Sequence, residues 1–560
     1  MDVYHKILGK YWGYPAFRPL QEEIIRSVCA GKDTLGLMPT GGGKSITFQV
    51  PAMAMEGICL VVTPLIALMC DQVDNLRRAG IKATAVHSGM DRREIAAALE
   101  DCVAGQNKFL YVSPERLATG LFREKLQTMH VCLLVVDESH CISQWGYDFR
   151  PSYLHIADIR EQLPDVPVLA LTATATPEVV EEIQERLFFK EKHVFRKSFA
   201  RPNLAYIVRR TEDKLGTLLY ILGKVPGTAL VYTRNRKQTK EAALFLQQAG
   251  ISADFFHAGL SREEKAIRQH RWKNNECRVI VATNAFGMGI DKPDVRLVVH
   301  LDMPDSLEEY FQEAGRAGRD NRKAYAVALC TDADGSRLKK RIEEEFPERS
   351  VIRHVYEALG DYYQLPERQG KDIVHEFALS SFCSACQLPP LEVHHALKLL
   401  ELAGYIEYSE AADESGSPTA ARIIHTLPRT APNTLVIPPA VYEARRERMK
   451  KRISKVAEYI DGKSICRSRL LLSYFGEKNT EDCGCCDVCL SKHGSGLSNR
   501  DFNAIRDRLL ELLSDRQPHS VATLIPSLPF PEEKIITTLR FLAEHDERFY
   551  LKEGQVSITG

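Results

Sequence analysis

A glycine-rich segment, residues 38–49 (MPTGGGKSITFQ), carries the residue types that bind a nucleoside triphosphate. It follows the apolar, strand-like residues 34–38 and opens a predicted helix. Glycine backbone amides can close around phosphate oxygens, Lys44 can reach the β and γ phosphates, and the Ser45 hydroxyl suits Mg²⁺. The strict GxxxxGK[ST] pattern would need glycine at position 38, so the shorter TGxGK[ST] form fits. The predicted phosphate-binding residues are Thr40, Gly41, Gly42, Gly43, Lys44 and Ser45.

An acidic pair ends a second apolar run, residues 133–140 (LLVVDESH). Asp137 is expected to hold Mg²⁺ through water, and Glu138 to orient or deprotonate the attacking water. Acidic residues after a buried strand are common, so the pair alone is a moderate signal. Together with Lys44 it predicts an ATP-hydrolysing centre.

Residues 310–320 (YFQEAGRAGRD) place two arginines three positions apart on a predicted helix. This spacing puts Arg316 and Arg319 on one face, from which they could reach a γ-phosphate held across a cleft. A solvated basic face is the alternative interpretation. Because a complete phosphate site lies in the other half of the chain, we favour the catalytic role for at least one arginine. Nucleotide held between two lobes would make the protein a motor.

Cysteines crowd together only in residues 480–490 (TEDCGCCDVCL). A spacing of C-x16-C-x2-C-x2-C supplies four thiolates for tetrahedral Zn²⁺, and a site with four protein ligands has no open position, so we interpret it as structural. Cys485 is the spare, although it could replace Cys483 or Cys486. Cys383 and Cys386 also have ligand spacing but lie in an apolar helix, which favours core packing. The predicted zinc ligands are Cys466, Cys483, Cys486 and Cys489.

Composition limits the classes of protein that fit. The 560 residues include 74 basic and 74 acidic side chains, so only local patches could hold a nucleic acid. The start lacks the apolar core of a signal peptide, and no uncharged apolar run approaches the ~20 residues that span a bilayer. The sequence therefore predicts a cytoplasmic, bacterial-type intracellular protein with no membrane partner.

The elements that must position these residues alternate between short apolar strands and helices over the first 330 residues, which predicts doubly wound parallel sheets in an α/β fold. The alternation restarts near residues 198–206. Helical segments then follow, with residues 409–423 predicted as a loop or wing tip. Winged-helix shapes bind either DNA or protein. The predicted division is two α/β domains at 1–200 and 201–335, a winged-helix-like domain at 336–440, a zinc module at 441–492 and a second winged-helix-like domain at 493–560.

Motifs in chain order resemble the RecQ family of DNA helicases, within superfamily two and with DESH as the DExH box. Ahead of the phosphate loop, the RecQ pattern is matched by Leu8, Trp12, Gly13, Phe17, Arg18, Gln21, Ile24 and Ile25. The resemblance implies that Arg18 and Gln21 grip the adenine while Tyr14 stacks on it. Gln21 also has an alternative interpretation as an ordinary helix N-terminal residue.

Residues 140–153 (HCISQWGYDFRPSY) resemble the RecQ aromatic-rich loop. Aromatic faces stack on unpaired bases without sequence preference, each contributing ~1–3 kcal/mol. Some of these rings could instead form a small core beneath the ATP site. We expect Trp145 and Phe149 to couple DNA contact to the nucleotide, with Arg150 as a further DNA-binding residue. The aromatic residues of the loop are Trp145, Tyr147, Phe149 and Tyr153.

The remaining helicase segments extend the resemblance across both α/β halves and imply two RecA-like motor domains. They are residues 61–72, 111–117, 171–176, 230–236, 256–261 and 281–296. Thr172 and Thr174 are implied to couple the ATP site to a strand-tracking channel. The resemblance implies ATP, Mg²⁺ and Zn²⁺ as cofactors, single-stranded and duplex DNA as partners, and a single-strand-binding protein as a candidate partner. It also implies 3′ to 5′ unwinding in repair, recombination or fork restart.

The region after the second motor domain departs from the RecQ pattern, because a winged-helix-like domain precedes the zinc module. This leaves open which hairpin separates strands. The first candidate is residues 548–559, with Phe549 or Tyr550 as the wedge, although both rings could be hairpin core. The basic residues 444–455 (ARRERMKKRISK) could face DNA phosphates or simply solvent.

Two other functions fit the motifs less fully. A translocase or annealing factor would hydrolyse ATP without separating strands. A DNA-binding regulator would use the winged helices and treat ATP as a switch, but it would not need the whole strand-tracking set.

Overall fold

The computed structural model describes residues 2–39, 41–87, 89–146, 148–286, 292–412, 418–478, 480–492, 499–515, 517–545, 549–552 and 554–558. Within them, no helix combines the length and the apolar character that crossing a bilayer requires. Two parallel sheets dominate the first 330 residues, which confirms the predicted α/β fold class.

The first sheet has seven parallel strands in the order β3-β4-β2-β5-β6-β1-β7. Its inner strands are buried at almost every position because helices cover both faces, as continuous apolar runs require. The strands are β1 (Thr34–Leu37), β2 (Ile58–Val62), β3 (Ala83–Val86), β4 (Phe109–Val112), β5 (Val131–Val136), β6 (Val168–Thr172) and β7 (His193–Arg196). The helices are α1 (Val3–Trp12), α2 (Gln21–Cys29), α3 (Ile46–Ala54), α4 (Ile66–Arg78), α5 (Arg92–Val103), α6 (Gly120–Leu126), α7 (His155–Gln162) and α8 (Pro177–Arg186).

The second sheet has six parallel strands in the order β10-β11-β9-β12-β13-β8. The strands are β8 (Leu204–Arg210), β9 (Thr228–Tyr232), β10 (Ala253–Phe256), β11 (Val279–Ala282), β12 (Val295–His300) and β13 (Ala324–Cys330). The helices are α9 (Lys214–Lys224), α10 (Arg236–Gln248), α11 (Arg262–Lys273) and α12 (Leu307–Ala314).

A three-stranded sheet with helices follows, in the strand order β14-β16-β15. Its elements are α13 (Asp334–Glu345), α14 (Arg349–Tyr362), β14 (Val374–Phe377), α15 (Leu379–Cys386), α16 (Pro390–Leu402), β15 (Ile406–Ala412) and β16 (Pro418–His425). The loop alternative predicted over 409–423 was wrong for most of the segment, since β15 and β16 pair antiparallel across it, whereas the wing-tip alternative stays a prediction. Tyr408, Ala421 and Ile423 are buried, so core packing fixes the hairpin. Residues 413–417 lie outside the described residues.

The cysteine-rich module and a small terminal unit complete the described chain. The module consists of α17 (Glu443–Asp461), α18 (Arg467–Tyr474) and α19 (Asp487–Lys492). The terminal unit has its own apolar core and a sheet ordered β17-β19-β18. Its elements are α20 (Asn499–Leu512), β17 (His519–Ser520), α21 (Val521–Leu524), α22 (Glu532–His545), β18 (Phe549–Lys552) and β19 (Gln555–Ile558).

Candidate nucleotide and DNA-binding site

The phosphate loop leaves β1 and leads into α3, at the edge of the sheet where β5 and β6 also end. Gly41 and Gly43 have φ angles of 80° and 81°, a left-handed conformation that favours glycine. A side chain at Gly43 would also collide with the Gln21 amide. The tight loop therefore depends on glycine, and Ser45 stands directly before α3. Thr40 lies outside the described residues.

The acidic pair follows β5. The Asp137 N–H donates to the Val62 carbonyl at 2.9 Å, and Glu138 then turns with φ 47°. Lys44 Nζ lies 3.6 Å from Glu138 Oε1, so the phosphate lysine and the acid share one site. Glu138 also faces His140, whose Nδ1 is 3.5 Å from Glu138 Oε2.

Burial and charge set opposite protonation tendencies in this pair. Burial, reinforced by the Glu138 charge, raises the pKa of Asp137. Burial opposes ionisation of Glu138 as well, but the nearby Lys44 more than offsets it, and the pKa of Glu138 is lowered. Two half-buried carboxylates beside one lysine favour a divalent cation, so the residues fit Mg²⁺ at Asp137 and Ser45.

His140 connects the acidic pair to the end of β6, through a 3.5 Å approach to Glu138 and a hydrogen bond to Thr172. His140 Nδ1 lies 2.9 Å from Thr172 Oγ1, and the Thr172 hydroxyl donates to the Thr174 carbonyl at 3.1 Å. The motif resemblance implied roles for both threonines but gave no sign of His140 as their connection to Glu138.

Arg18 and Gln21 meet at the phosphate loop. Gln21 Oε1 accepts from the Arg18 N–H at 2.8 Å, and Gln21 Nε2 donates to the Gly43 carbonyl at 2.9 Å. Arg18 Nη1 donates to the Gly41 carbonyl at 2.8 Å. Tyr14 precedes Arg18 in the sequence, and its side chain is 52% exposed. Both polar side chains thus tie the loop to the start of α2.

The arginine pair comes from the second sheet domain. A Cβ placed on Gly41 would lie 3.8 Å from Cγ and Cδ of Arg319, so this side chain reaches the phosphate loop across the domain boundary. Arg316 is buried at the same boundary. The predicted helix was wrong here: α12 ends at Ala314, and both arginines stand on the turn that follows it, in which Gly318 adopts φ 63°.

The aromatic-rich loop divides into core and accessible rings. Tyr153 is fully buried and donates its hydroxyl to the Asp137 carbonyl at 2.9 Å, so it belongs to the core beneath the acidic pair. Trp145 is 45% exposed, whereas Phe149 is half-buried. Arg150 pairs with Asp148 at 2.9 Å. Tyr147 lies outside the described residues.

A cavity of about 510 Å³ separates this loop from the second domain and from α17. Arg445, Arg448 and Arg452 line it, because their spacing places them on one face of α17. Arg452 Nη2 donates to the Trp145 and Gly146 carbonyls at 2.6 Å each. The Arg448 guanidinium lies 5.5 Å from the Trp145 ring centroid. The sequence left the direction of this basic segment open, and part of it faces the cleft.

The four predicted zinc ligands converge. Their sulfur atoms all lie within 4.8 Å of one another, and three of the four residues are buried. The Cys483 N–H donates to Cys466 Sγ at 3.2 Å and the Cys489 N–H to Cys486 Sγ at 3.3 Å, which suits thiolates. The donor set fits Zn²⁺. Cys485 stands outside this group among the described residues.

In the two predicted winged-helix-like units, the helices in the recognition position, α16 and α22, present no continuous basic surface among their described residues. Beyond its first two residues, α16 has no exposed residue along its fully described length. In α22, the exposed residues among those whose side chains are described are Glu532, Glu533 and Arg540. Cys383 and Cys386 are buried in the core of the first unit. In the terminal hairpin, Phe549 is core and Tyr550 is 63% exposed.

Three segments of the chain match known protein families. Residues 18–183 match the DEAD/DEAH box helicase family, 213–321 the helicase conserved C-terminal domain and 429–490 the RecQ zinc-binding family. The DUF1998 helicase MrfA bound to DNA and AMPPNP has a TM-score of 0.51 at 16% identity, covering 61% of this chain and 52% of that chain, and so shows the fold alone.

Curated relatives give the same assignment. ATP-dependent DNA helicase RecQ of Haemophilus influenzae is 39% identical over 64% of this chain, which spans only 58% of that relative's length. RecQ of Bacillus subtilis is 43% identical over 59% of this chain and 56% of its own length. The probable ATP-dependent DNA helicase RecS of Bacillus subtilis is 37% identical over 68% of this chain and 77% of its own length. With the zinc module and the motor motifs in place, the chain belongs to the RecQ family of DNA helicases.

Proposed function

We propose that this chain is an ATP-driven helicase that moves 3′ to 5′ on one DNA strand and separates the duplex. The observation that carries the proposal is the approach of Arg319 to Gly41, which puts an arginine of the second motor domain at the phosphate loop of the first. Polarity, and a setting in repair, recombination or fork restart, follow from family membership.

ATP hydrolysis in this proposal uses residues from both motor domains. Lys44 and the amides of Gly41, Gly42 and Gly43 bind the phosphates, and Mg²⁺ held at Ser45 and Asp137 would neutralise developing charge. Glu138 orients the attacking water, because its lowered pKa keeps it ionised. Arg316 and Arg319 stabilise the charge that spreads over the transferred phosphoryl oxygens. Adenine is held by Tyr14, Arg18 and Gln21.

DNA contact is proposed on the loop that leaves the acidic pair. Trp145 offers an exposed face for base stacking, while Phe149 and Arg150 line the adjoining cavity. The Tyr153 hydroxyl on the Asp137 carbonyl connects the base of this loop to the nucleotide site. A strand stacked on Trp145 can therefore influence the acidic pair.

The surrounding modules have supporting roles. We propose that Zn²⁺ at Cys466, Cys483, Cys486 and Cys489 is structural, and that the chain divides at about residues 200, 335, 440 and 492. An intracellular location and a single-strand-binding protein as partner are proposed from the DNA substrate. Tyr550, as the exposed ring of the terminal hairpin, is the remaining candidate for the strand-separating wedge.

The test is ATP-driven unwinding of two labelled duplexes, one with a 3′ single-stranded tail and one with a 5′ tail, beside ATP turnover with and without DNA. We expect unwinding of the 3′-tailed duplex alone, lost in Lys44→Ala. DNA-stimulated turnover without unwinding would instead favour a translocase or annealing factor. ATP turnover that does not increase when DNA is added would refute the proposal.

A further inference from the structure

The turn that carries the arginine pair is held from outside its own helix. Arg201 donates through Nη1 to the Gly315 carbonyl at 3.3 Å, and through Nη2 to the Ala317 carbonyl at 2.9 Å and the Gly318 carbonyl at 2.8 Å. Three carbonyl oxygens within four residues of the turn thus converge on one guanidinium.

Asn203 completes this support. Its Nδ2 donates to the Gly318 carbonyl at 2.7 Å and to the Arg322 carbonyl at 2.9 Å. Gly318 has φ 63°, and a Cβ there would lie 2.6 Å from Asn203 Nδ2. Gly318 therefore packs its left-handed backbone against the Asn203 amide, and Arg319 is the next residue.

Arg201 lies in the segment that joins the two sheets, after β7 ends at Arg196 and before β8 begins at Leu204. Phe199, two residues earlier, is buried with its ring centroid 6.0 Å from that of Phe311 on α12. The connecting segment and the arginine turn are thus parts of one packed unit. A change in the path of this segment would be transmitted to the turn.

We propose that Arg201 is a positioning residue for ATP hydrolysis: it fixes the turn from which Arg316 and Arg319 reach the phosphate loop. Its place between the domains makes the turn respond to domain closure. Only the expected effect of Arg201 on kcat rests on the proposed ATPase function; its support of the turn does not. Arg201 itself does not touch the reacting atoms, and lysine cannot replace it because a single ammonium lacks the planar fork that meets several carbonyls.

The first measurement is hydrogen exchange of the backbone over residues 311–322 in Arg201→Lys. We expect exchange to accelerate there more than elsewhere in the second sheet domain. Arg278→Lys is the matched control, because Arg278 also donates to three carbonyls of the same domain, those of Gly227, Leu222 and Val225. Unchanged exchange over 311–322 in Arg201→Lys would overturn the proposal, whatever the enzyme's activity.

The second measurement is DNA-stimulated ATP turnover. Because small misplacement of a catalytic group costs about 10²-fold, we expect Arg201→Lys to lower kcat by roughly that factor while KM for ATP stays within about twofold. Combining it with Arg316→Ala and Arg319→Ala together should lose little more than those two substitutions alone. Full additivity, or an unchanged kcat, would refute the positioning role. Absence of DNA-stimulated turnover in the unmodified protein would refute the proposed function instead, leaving the exchange result to decide on Arg201.

Discussion

Burial and a few neighbouring charges set the pKa values of single carboxyl groups in this protein. The pKa of Asp137 is raised and that of Glu138 lowered, although the two are adjacent in sequence, because Lys44 faces Glu138. The same principle acts across the cleft, where burial raises the pKa of Glu313 to about 8 despite the Arg316 charge. Protonation states in the cleft therefore depend on tertiary packing.

Replacing Cys485 tests ligand identity in the zinc module. We expect Cys485→Ser to retain one Zn²⁺ per chain, because its sulfur stands outside the group of four. Cys486→Ser should lose most of the metal, since three thiolates leave one tetrahedral position without a protein ligand. The measurement is the number of zinc ions per chain in each purified protein. Zinc loss in Cys485→Ser would show that this residue is a ligand.

Glu313 should make stability fall as pH rises. Its folded pKa of about 8 exceeds the ordinary glutamate value, so the stability from its bound proton is complete below about pH 4.3 and is lost as pH rises through 8. Burial lowers the pKa of the adjacent His300 to about 3. This histidine makes stability increase with pH, but only up to about pH 6.5, the ordinary histidine pKa, so it does not oppose the fall above that pH. Glu309, whose pKa is also raised to about 8, adds to the fall.

The measurement is the melting temperature of the ligand-free protein between pH 6.5 and 8.5. We expect Glu313→Gln to show a smaller decline than the unmodified protein, because one of the two titrating glutamates is gone. Glu343→Gln on α13, at an exposed position, is the control. An identical decline in all three proteins would contradict the prediction.

Among the elements, α17 connects the zinc module to the aromatic-rich loop. Its basic residues divide into two faces: Arg445, Arg448 and Arg452 line the cavity, whereas Lys450 and Lys451 are exposed. The helix is thus more than a solvated basic surface. By contrast, α16 has the sequence position of a recognition helix, but its only exposed residues are the first two, so its sequence position does not give it a strongly basic face.

Arg452→Ala should weaken the response to DNA. Two charge-assisted hydrogen bonds to the loop are lost, each contributing about 1.5–3 kcal/mol, so the loop would be less ordered. We expect the DNA concentration for half-maximal ATPase stimulation to rise roughly tenfold or more, with little change in turnover without DNA. Lys450→Ala on the exposed face serves as the comparison. Equal behaviour of the two variants would exclude a specific role for Arg452.

In the whole molecule, the zinc module packs where the two motor domains join. Phe475 has ring contacts with Phe199 of the connecting segment and Phe311 of the second domain. Glu477 accepts from the Ser198 hydroxyl at 2.8 Å and the Phe199 N–H at 2.6 Å. The module therefore restrains the segment about which the motor domains would move.

Glu477→Ala should release this segment. Loss of its charge-assisted hydrogen bonds, each about 1.5–3 kcal/mol, would increase local opening, and cleavage follows the open population when reclosing is fast. We expect tryptic cleavage after Arg196 or Lys197 to accelerate about tenfold or more. Glu481→Ala, exposed on the same module, should cleave at the original rate. If Glu477→Ala also cleaves at that rate, the restraint is absent.

The sequence by itself determined the features whose residues are close along the chain. The phosphate loop, the acidic pair after β5 and most of the zinc cluster are local patterns, because ligand spacing within a few residues nearly fixes geometry. Strand alternation likewise predicted both parallel sheets. The helix predicted over the arginine pair failed, since α12 ends at Ala314 and the turn that follows is bound by Asn203, which lies 115 positions from Gly318.

Only the tertiary structure decided the contacts between distant segments. Arg319 reaches Gly41, Arg201 binds the turn 114 to 117 positions away, and Arg452 binds the loop carbonyls of Trp145 and Gly146 over 300 positions earlier. No periodicity or spacing encodes such pairs, because each depends on how whole domains pack. The phosphate chemistry could therefore be predicted from local residue order, whereas the restraints that position it arise from domain packing.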